Sequence, residues 1–491
     1  MWRLLKETYN GVQNKVFFGT MATQWYTIST GLKQGCCLSP TTFSIIMTDL
    51  ISALNNQEMG IPFNEKKIPA LLFADDIVLF AESEEQLQQM LRIVNDFGVK
   101  WGFNFDPIKS KVMVIGKRLD KDKIWLLGDL EIKEVSAYKY LGIYISRSLK
   151  DTFHVNTLMK KKADVIRNLI SSTLTKHCNV KRIEFGNTLY NAKFVPGITH
   201  GCGIFVTNQT INDKIATMQY KMAQDIFQLK CKPAKQALLG DLGWKPICDL
   251  IDKRRIDYFV YLKNSLMDGL HRDVFNSLYD DFKSGNEGPW PYFSNIKTVL
   301  SKYGLDDVIH RNDVEWYYSF LQISEDMRKS ELVEGIQDRS SLGTYKLLKQ
   351  TTRMDRYLKS DMDFYGQKIK FKARSGCLGL GSDLKRWKKS NGICTACNLN
   401  SEDTIEHRLL FCPFDIQKRL EFHNNVLQIV GADVLNVYLQ LNTITKINWL
   451  LGDGAYDTWG QEQGKLFDKC SKRFLVNIYS DIKERMYRVL S

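Results

Sequence analysis

The stretch Leu71-Leu72-Phe73-Ala74-Asp75-Asp76-Ile77-Val78-Leu79-Phe80-Ala81 constrains this chain most: two adjacent acids framed on both sides by apolar residues. Each flank has the length of a strand and no polar alternation, the pattern of strands buried on both faces. The acids then sit at the crest of a hairpin. Like charges that close raise one another's pKa, so the pair is costly to hold together. A divalent cation removes that cost, and oxygen ligands of this kind suit magnesium. Asp-Asp is also a common two-residue turn, so the neighbouring sequence has to decide between the two readings.

The chain has 491 residues, too many for one core, and two to four domains are expected. Its formal net charge of +13 points to a polyanionic partner, of which nucleic acid is the commonest. Low-complexity tracts are absent, which argues against long disordered regions. No segment has the uninterrupted apolar length of a transmembrane helix, and Met1-Trp2-Arg3-Leu4-Leu5-Lys6 lacks the apolar core of a signal peptide. Eleven unevenly spaced cysteines fit reduced thiols or metal ligands. These features predict an intracellular protein of nucleus or cytoplasm, not secreted and with no membrane partner.

Trp2, Leu5 and Tyr9 recur at helical spacing. Gly31-Leu32-Lys33-Gln34-Gly35-Cys36-Cys37-Leu38 reads as a loop, and Ser39-Pro40 as a helix start with a capping hydroxyl. Phe43, Ile46, Met47 and Leu50 share a face of that helix. Ser83-Glu84-Glu85-Gln86 matches a capping box, and Leu87, Met90, Leu91, Val94 and Phe97 define an amphipathic helix. Phe103–Phe105 and Lys111–Gly116 read as strand, turn, strand, and Tyr138–Ile145 as a further β segment. From about residue 148 to about 345 the periodicity is helical, with breaks near Pro196–Gly203, Gly240–Pro246 and Gly285–Pro291.

The segments GLKQGCCLSPTTFSIIM, LLFADDIVLFAES, KSKVMVIG and YKYLGIYIS occur in an order that resembles the reverse transcriptases of non-LTR (LINE-type) retrotransposons. The resemblance runs through residues 1–147 and continues more weakly beyond. It implies that Asp75 and Asp76 bind catalytic Mg2+, and that Gln34, Gly35, Ser39 and Pro40 touch template and nascent base pair. It further implies that Tyr140, Leu141 and Gly142 position the primer end, with Lys109 and Lys111 near the departing pyrophosphate. The implied partners are an RNA template, a DNA primer or target, and deoxynucleotides. That family needs a third aspartate on a strand preceding Gly31–Pro40; here the first aspartate is Asp49, and Glu7 is the only earlier acid. The family's fingers would also precede this region, so an N-terminally truncated element is expected.

Cys394-Thr395-Ala396-Cys397, nine further residues, then His407 and Cys412 give C-x2-C and H-x4-C, a tetrahedral zinc pattern. Just before it, Lys385-Arg386-Trp387-Lys388-Lys389 interleaves charge with a ring, a pattern suited to phosphate contact with stacking. Lys160, Lys161 and Lys162, and Lys253-Arg254-Arg255, offer further cationic clusters for a template–primer duplex. The tail after Pro413 contains Asp433, Asp453 and Asp457 but no recognisable catalytic arrangement.

The expected architecture is α+β. A partial palm (1–147) has a split βαβ antiparallel sheet with helices on one face; a helical thumb and connection (148–345) and a zinc-binding C-terminal region (346–491) follow. RNA-directed DNA synthesis by two-metal nucleotidyl transfer is the implied lineage activity, with little activity expected of this chain alone. The alternatives are a non-catalytic nucleic-acid-binding remnant and one half of a split polymerase completed in trans.

Overall fold

Apolar spacing decides how the N-terminal third of the chain folds. In a computed structural model, which describes residues 2–29, 31–33, 35–116, 123–149, 153–154, 156–157, 165, 168, 181–204, 209–264, 269–288, 291–359 and 363–490, the protein is mostly helical with small sheets. It divides into two units, Met1–Tyr138 with Ser146–Leu149, and Lys139–Ile145 with Lys150–Ser491.

The first unit opens with helix α1 (Trp2–Tyr9). An interrupted hairpin follows, in which β1 (Gln13–Asn14) pairs with β4 (Tyr26–Thr27) and β2 (Phe17–Phe18) with β3 (Met21–Ala22). Helix α2 (Ser39–Asn55) buries Met47, Leu50 and Leu54. Its N-cap is Leu38, without a side-chain cap, so Ser39 is not the expected capping hydroxyl. The Ser39 Oγ instead donates to the Lys33 carbonyl at 2.7 Å, folding the preceding loop back on the helix.

Strands β5 (Ile61–Phe63) and β6 (Lys66–Ile68) form one antiparallel hairpin, and β7 (Ala70–Phe73) and β8 (Asp76–Leu79) another. Helix α3 (Glu84–Trp101) starts at Ser83, whose side chain accepts from the Gln86 N–H at 3.2 Å. The reciprocal bond is shifted by one residue, since Gln86 Oε1 accepts from Glu82 N–H. Met90, Leu91, Val94 and Phe97 are buried as their spacing predicts, and Gly102 ends the helix at φ +72°.

Strands β9 (Lys111–Val112), β10 (Trp125–Leu127) and β11 (Leu130–Glu134) form a sheet in the order β10-β11-β9, with β9 parallel to β11. Strands β12 (Ala137–Tyr140) and β13 (Ile143–Ser146) pair with each other.

Three expectations need correction. Phe103–Phe105 is a loop rather than a strand; Phe103 turns inward and packs on Phe43 and Phe97, with centroids 5.9 and 6.0 Å away. A single antiparallel sheet is not formed among the described residues, because the strands are only two to five residues long and mostly pair two by two. Nor are the strands around Asp75-Asp76 buried on both faces. Ala70, Leu72, Ile77 and Leu79 join the core of α2 and α3, while Leu71 and Phe73 face solvent. The ribbon has one face against the helices, and among the described residues its other face is covered only in part.

From Arg182 to Leu490 the described residues of the second unit form helices joined by loops. One core gathers Ile183, Phe227, Leu238, Tyr345, Tyr357 and Phe371, and so runs across residue 345. A second gathers Phe259, Phe293 and Phe320, and a third Ile369, Phe422, Trp449 and Phe474.

The fully buried Arg374 links the first and third of these cores. Its guanidinium grips Asp241 twice, at 2.9 and 3.1 Å, reaches Asp355 at 2.9 Å and donates to the Leu451 carbonyl at 2.6 Å. Tyr345 and Tyr357 donate to the same Asp241 carboxylate at 2.9 and 2.7 Å. A second buried group ties the helix Phe364–Arg374 to the C-terminal helix, with Asp468 at 2.6 Å from Lys370 and 2.7 Å from Lys472.

Removing one partner of a buried pair leaves the other uncompensated, at a cost of about 3–5 kcal/mol. Arg374→Met is therefore expected to destabilise the chain by about that amount in urea denaturation. A loss below about 1 kcal/mol would show that the network contributes little. Burial alone raises the Asp468 carboxyl, but Lys370 and Lys472 outweigh it and hold it down to about 2. A depressed acid contributes stability above its unfolded pKa near 4 and loses it as pH falls toward 2, here about 2 kcal/mol. Denaturation between pH 4 and 2 should show a steeper loss in the native chain than in a triple variant carrying Lys370→Met, Asp468→Leu and Lys472→Met. Equal slopes would refute the assignment.

Candidate functional site

The acidic hairpin is built by register. Phe73 pairs with Asp76, so Ala74 and Asp75 form the two-residue turn, with Ala74 at φ +52°. Both carboxylates are exposed, and the core residues Ala70 and Leu72 anchor the ribbon behind them. Among the described residues no third acid gathers with Asp75 and Asp76; the single group of three or more potential metal ligands lies elsewhere. Glu7 lies on α1 and Asp49 on α2, both exposed.

Other residues singled out in the first unit occupy turns. Gly35 adopts φ +82°, a conformation disfavoured for other residues. Ser39 joins its loop to α1 through Tyr9, whose hydroxyl lies 3.3 Å from Ser39 Oγ, and Pro40 stands in the first turn of α2. Gln34 lies outside the described residues. Lys109 is exposed on the turn after Asp106, 3.8 Å from that carboxylate, and Lys111 Nζ donates to the Ile108 carbonyl.

Tyr140 ends β12, and Leu141 and Gly142 turn the chain with φ +46° and +84°. His200 Nε2 lies 3.0 Å from the Leu141 carbonyl, and a Cβ on Gly142 would stand 2.8 Å from that same nitrogen. Glycine is thus required there twice over, by backbone angle and by the approach of the imidazole.

The cysteine–histidine cluster converges as its spacing predicts. The four ligand atoms of Cys394, Cys397, His407 and Cys412 all lie within 4.8 Å of one another. Cys394 Sγ is 4.0 Å from Cys412 Sγ, and Cys397 Sγ is 3.4 Å from His407 Nε2. A tetrahedral ion with bonds of about 2.0–2.3 Å needs ligand separations of this order.

The local fold explains the convergence. The Cys412 N–H donates to the His407 carbonyl at 2.7 Å, closing a π-helical turn that stacks residues five apart. Cys394 N–H donates to the Ser401 carbonyl and Asp403 N–H to the Gly392 carbonyl, making a small antiparallel bridge under the first cysteine pair. Arg408, nearly fully buried, clamps the far side by donating to Asp415 at 2.6 Å.

That support also carries the basic run. Asp403 accepts from the Gly381 N–H at 2.8 Å, and Asp383 accepts from the N–H groups of Gly379 and Leu380, fixing the start of the helix Gly381–Arg386. A Cβ on Gly381 would meet the Asp403 side chain and Gly392 backbone below 3.0 Å, so glycine alone permits this approach. Lys385, Arg386, Trp387, Lys388 and Lys389 are all exposed beside the cluster. Arg386 is tied to Asp383 and to the Gly376 carbonyl.

The other cationic clusters fare differently. Arg255 is buried, with its Nε donating to the Cys202 carbonyl, and serves the helical core, whereas Lys253 pairs with Asp257 at 2.8 Å while partly exposed and Arg254 is exposed. Lys160, Lys161 and Lys162 lie outside the described residues. Sequence reasoning missed the Arg374–Asp241 and Lys370–Asp468–Lys472 groups, because nothing in a helical periodicity marks a charge as inward-facing. Asp453 and Asp457, which formed no pattern in the sequence, converge on Arg356, at 3.8 and 3.0 Å.

Comparison with known proteins gives these features their context. Residues 2–145 match the family "Reverse transcriptase (RNA-dependent DNA polymerase)", which implies a palm-type fold for the first unit. The RNA-directed DNA polymerase from mobile element jockey of Drosophila funebris is 24% identical over 234 residues, 46% of this chain and 25% of that protein. The Pol polyprotein from type-1 retrotransposable element R2 of Nasonia vitripennis is 31% identical over 130 residues, 24% of this chain and 13% of the relative. The corresponding polyprotein from type-2 element R2DM of Drosophila melanogaster is 32% identical over 149 residues, 28% and 14% of the two chains. The chain spans a quarter or less of the length of these relatives. Over residues 2–145 the chain is similar to reverse transcriptases, and the relatives it matches are proteins of jockey and R2 mobile elements.

The convergence of the four ligands predicts one bound metal ion per chain. Elemental analysis of the purified protein should find about one equivalent, and Cys397→Ser with His407→Ala should lose it. Metal retained in full by that double variant would exclude the cluster as its site.

Proposed function

We propose that Asp75 and Asp76 are two of the carboxylates of a palm-type nucleotidyl-transfer site, whose lineage activity is RNA-directed DNA synthesis on an RNA template and a DNA primer. The reading rests on the acidic turn held at the end of a core-anchored hairpin, within the segment that matches the polymerase family. Oxygen donors of this type select Mg2+. Two carboxylates do not complete a two-metal site, which needs a further bridging acid, and none gathers there among the described residues. A further bridging carboxylate beside Asp75 and Asp76 would complete the site.

Gly35, Ser39 and Pro40 form the loop-to-helix junction that would meet template and base pair. The turn Tyr140–Gly142 would meet the primer end, and Lys109 and Lys111 the pyrophosphate. Residues 148–345 would supply the helical thumb and connection. The cluster Cys394, Cys397, His407 and Cys412 fits zinc in its donor set and separations, and the ion would cross-link two loops rather than take part in chemistry. It would hold the exposed Lys385–Lys389 run as a phosphate-binding surface. No described helix is long and apolar enough to cross a membrane, and a retrotransposon protein of this kind acts inside the cell.

The incomplete acid set also favours the reading of a nucleic-acid-binding chain without its own catalysis. A primer-extension assay with the 491-residue protein, Mg2+, deoxynucleotides and a primed RNA template separates the two. No extension is expected from this chain alone, and extension should appear when a segment bearing an aspartate-carrying strand is fused upstream, then vanish with Asp75→Ala. Robust extension by the unfused chain, lost in Asp75→Ala, would overturn the claim that the acid set is incomplete.

A further inference from the structure

The interrupted hairpin from β1 to β4 covers neither of its faces. All eight residues of its strands are exposed. Phe17, Phe18 and Trp25 are 72%, 78% and 64% exposed, and Met21 and Tyr26 are exposed beside them. A two-stranded ribbon of this length is marginal by itself, and large rings left in water call for something to cover them.

The arrangement of the rings narrows what that is. Lys15 lies in the interruption between β1 and β2, and its ammonium lies 5.6 Å from the Phe17 centroid and 5.8 Å from that of Trp25. The sequence ring–cation–ring is therefore presented outward. Lys15 makes no ion pair among the described residues. The sequence around the hairpin is basic: residues 1–48 contain Arg3, Lys6, Lys15 and Lys33 against Glu7, a net of +3 (4 − 1).

An apolar protein partner would gain from the rings but would have to desolvate the ammonium between them. A single strand of nucleic acid offers both complements, a π-face on every base and a phosphate at every step.

We propose that the hairpin Gln13–Thr27 is a stacking arm for single-stranded nucleic acid, with bases on Phe17 and Trp25 and a phosphate at Lys15. This rests on the reading of the chain as a nucleic-acid-binding protein, and not on the acidic hairpin or on any metal. Because bases are met by their faces, the arm distinguishes single strands from duplex but not one base sequence from another.

Fluorescence anisotropy of the full chain with labelled oligo(U), oligo(dT) and a blunt duplex tests this. Phe17→Ala and Trp25→Ala should each weaken binding to the single strands about tenfold and leave duplex affinity unchanged, with Trp25→Phe restoring most of the loss. Lys15→Ala should instead lower the slope of log affinity against log salt by about 0.7. Comparison of the oligo(U) and oligo(dT) arms tells whether RNA or DNA is preferred. Thermal melting should be unchanged in all these variants, since none of the side chains is buried.

If the native chain binds none of the three probes, the nucleic-acid reading fails and the arm with it. If it binds single strands and the ring variants bind equally well, only the arm is refuted. Concentration-dependent self-association, abolished by the ring variants while oligonucleotide affinity is unchanged, would assign the hairpin to a second copy instead.

Discussion

The second unit depends on the buried contact between Arg374 and Asp241. A guanidinium and a carboxylate fully removed from water are stable only if every hydrogen-bonding position is matched. Here the match is nearly complete, from Asp355, Tyr345, Tyr357 and the Leu451 carbonyl. With Asp241 and Arg374 those residues come from five separate segments between 241 and 451, so satisfying one arginine fixes the relative position of helices whose apolar faces alone would allow some sliding. Rings of Tyr345 and Tyr357 also flank the guanidinium, with centroids at 5.5 and 5.1 Å.

The cysteine cluster follows the same logic at a smaller scale. Its four ligands occupy loops and a single π-turn, which have little regular hydrogen bonding to hold them. Two inward acids, Asp403 and Asp383, and the buried Arg408 supply that support. They also fix the helix that displays Lys385–Lys389, so the candidate metal and the basic surface share one scaffold. The acidic hairpin of the first unit uses a different means: alternate side chains sunk in the core of α2 and α3.

Much of this was legible in the residues. The helices α2 and α3 follow from apolar residues at i, i+3 and i+4, and both glycine-ended helices Leu270–Ser284 and Lys235–Leu242 stop at the predicted breaks. The order of the four polymerase-like segments identified the family that the comparison found. The cluster could be read because ligand spacing is a property of the chain itself. The strand at Phe103–Phe105 and the double-sided burial of the Asp75-Asp76 ribbon could not, because alternation and apolarity say that a residue could be covered, not what covers it.

The same distinction separates what the two levels decided overall. By itself the sequence determined the resemblance to reverse transcriptases, the helical periods, the acidic hairpin and the four candidate metal ligands, all of which depend on residue type and spacing along the chain. Only the tertiary structure decided which charges face inward. It placed Arg255, Arg374 and Lys370 in the core and left Lys385–Lys389 and the rings of Gln13–Thr27 outside. A lysine or arginine has the same local sequence signature on either side, and its burial depends on acids and carbonyls brought from distant parts of the chain.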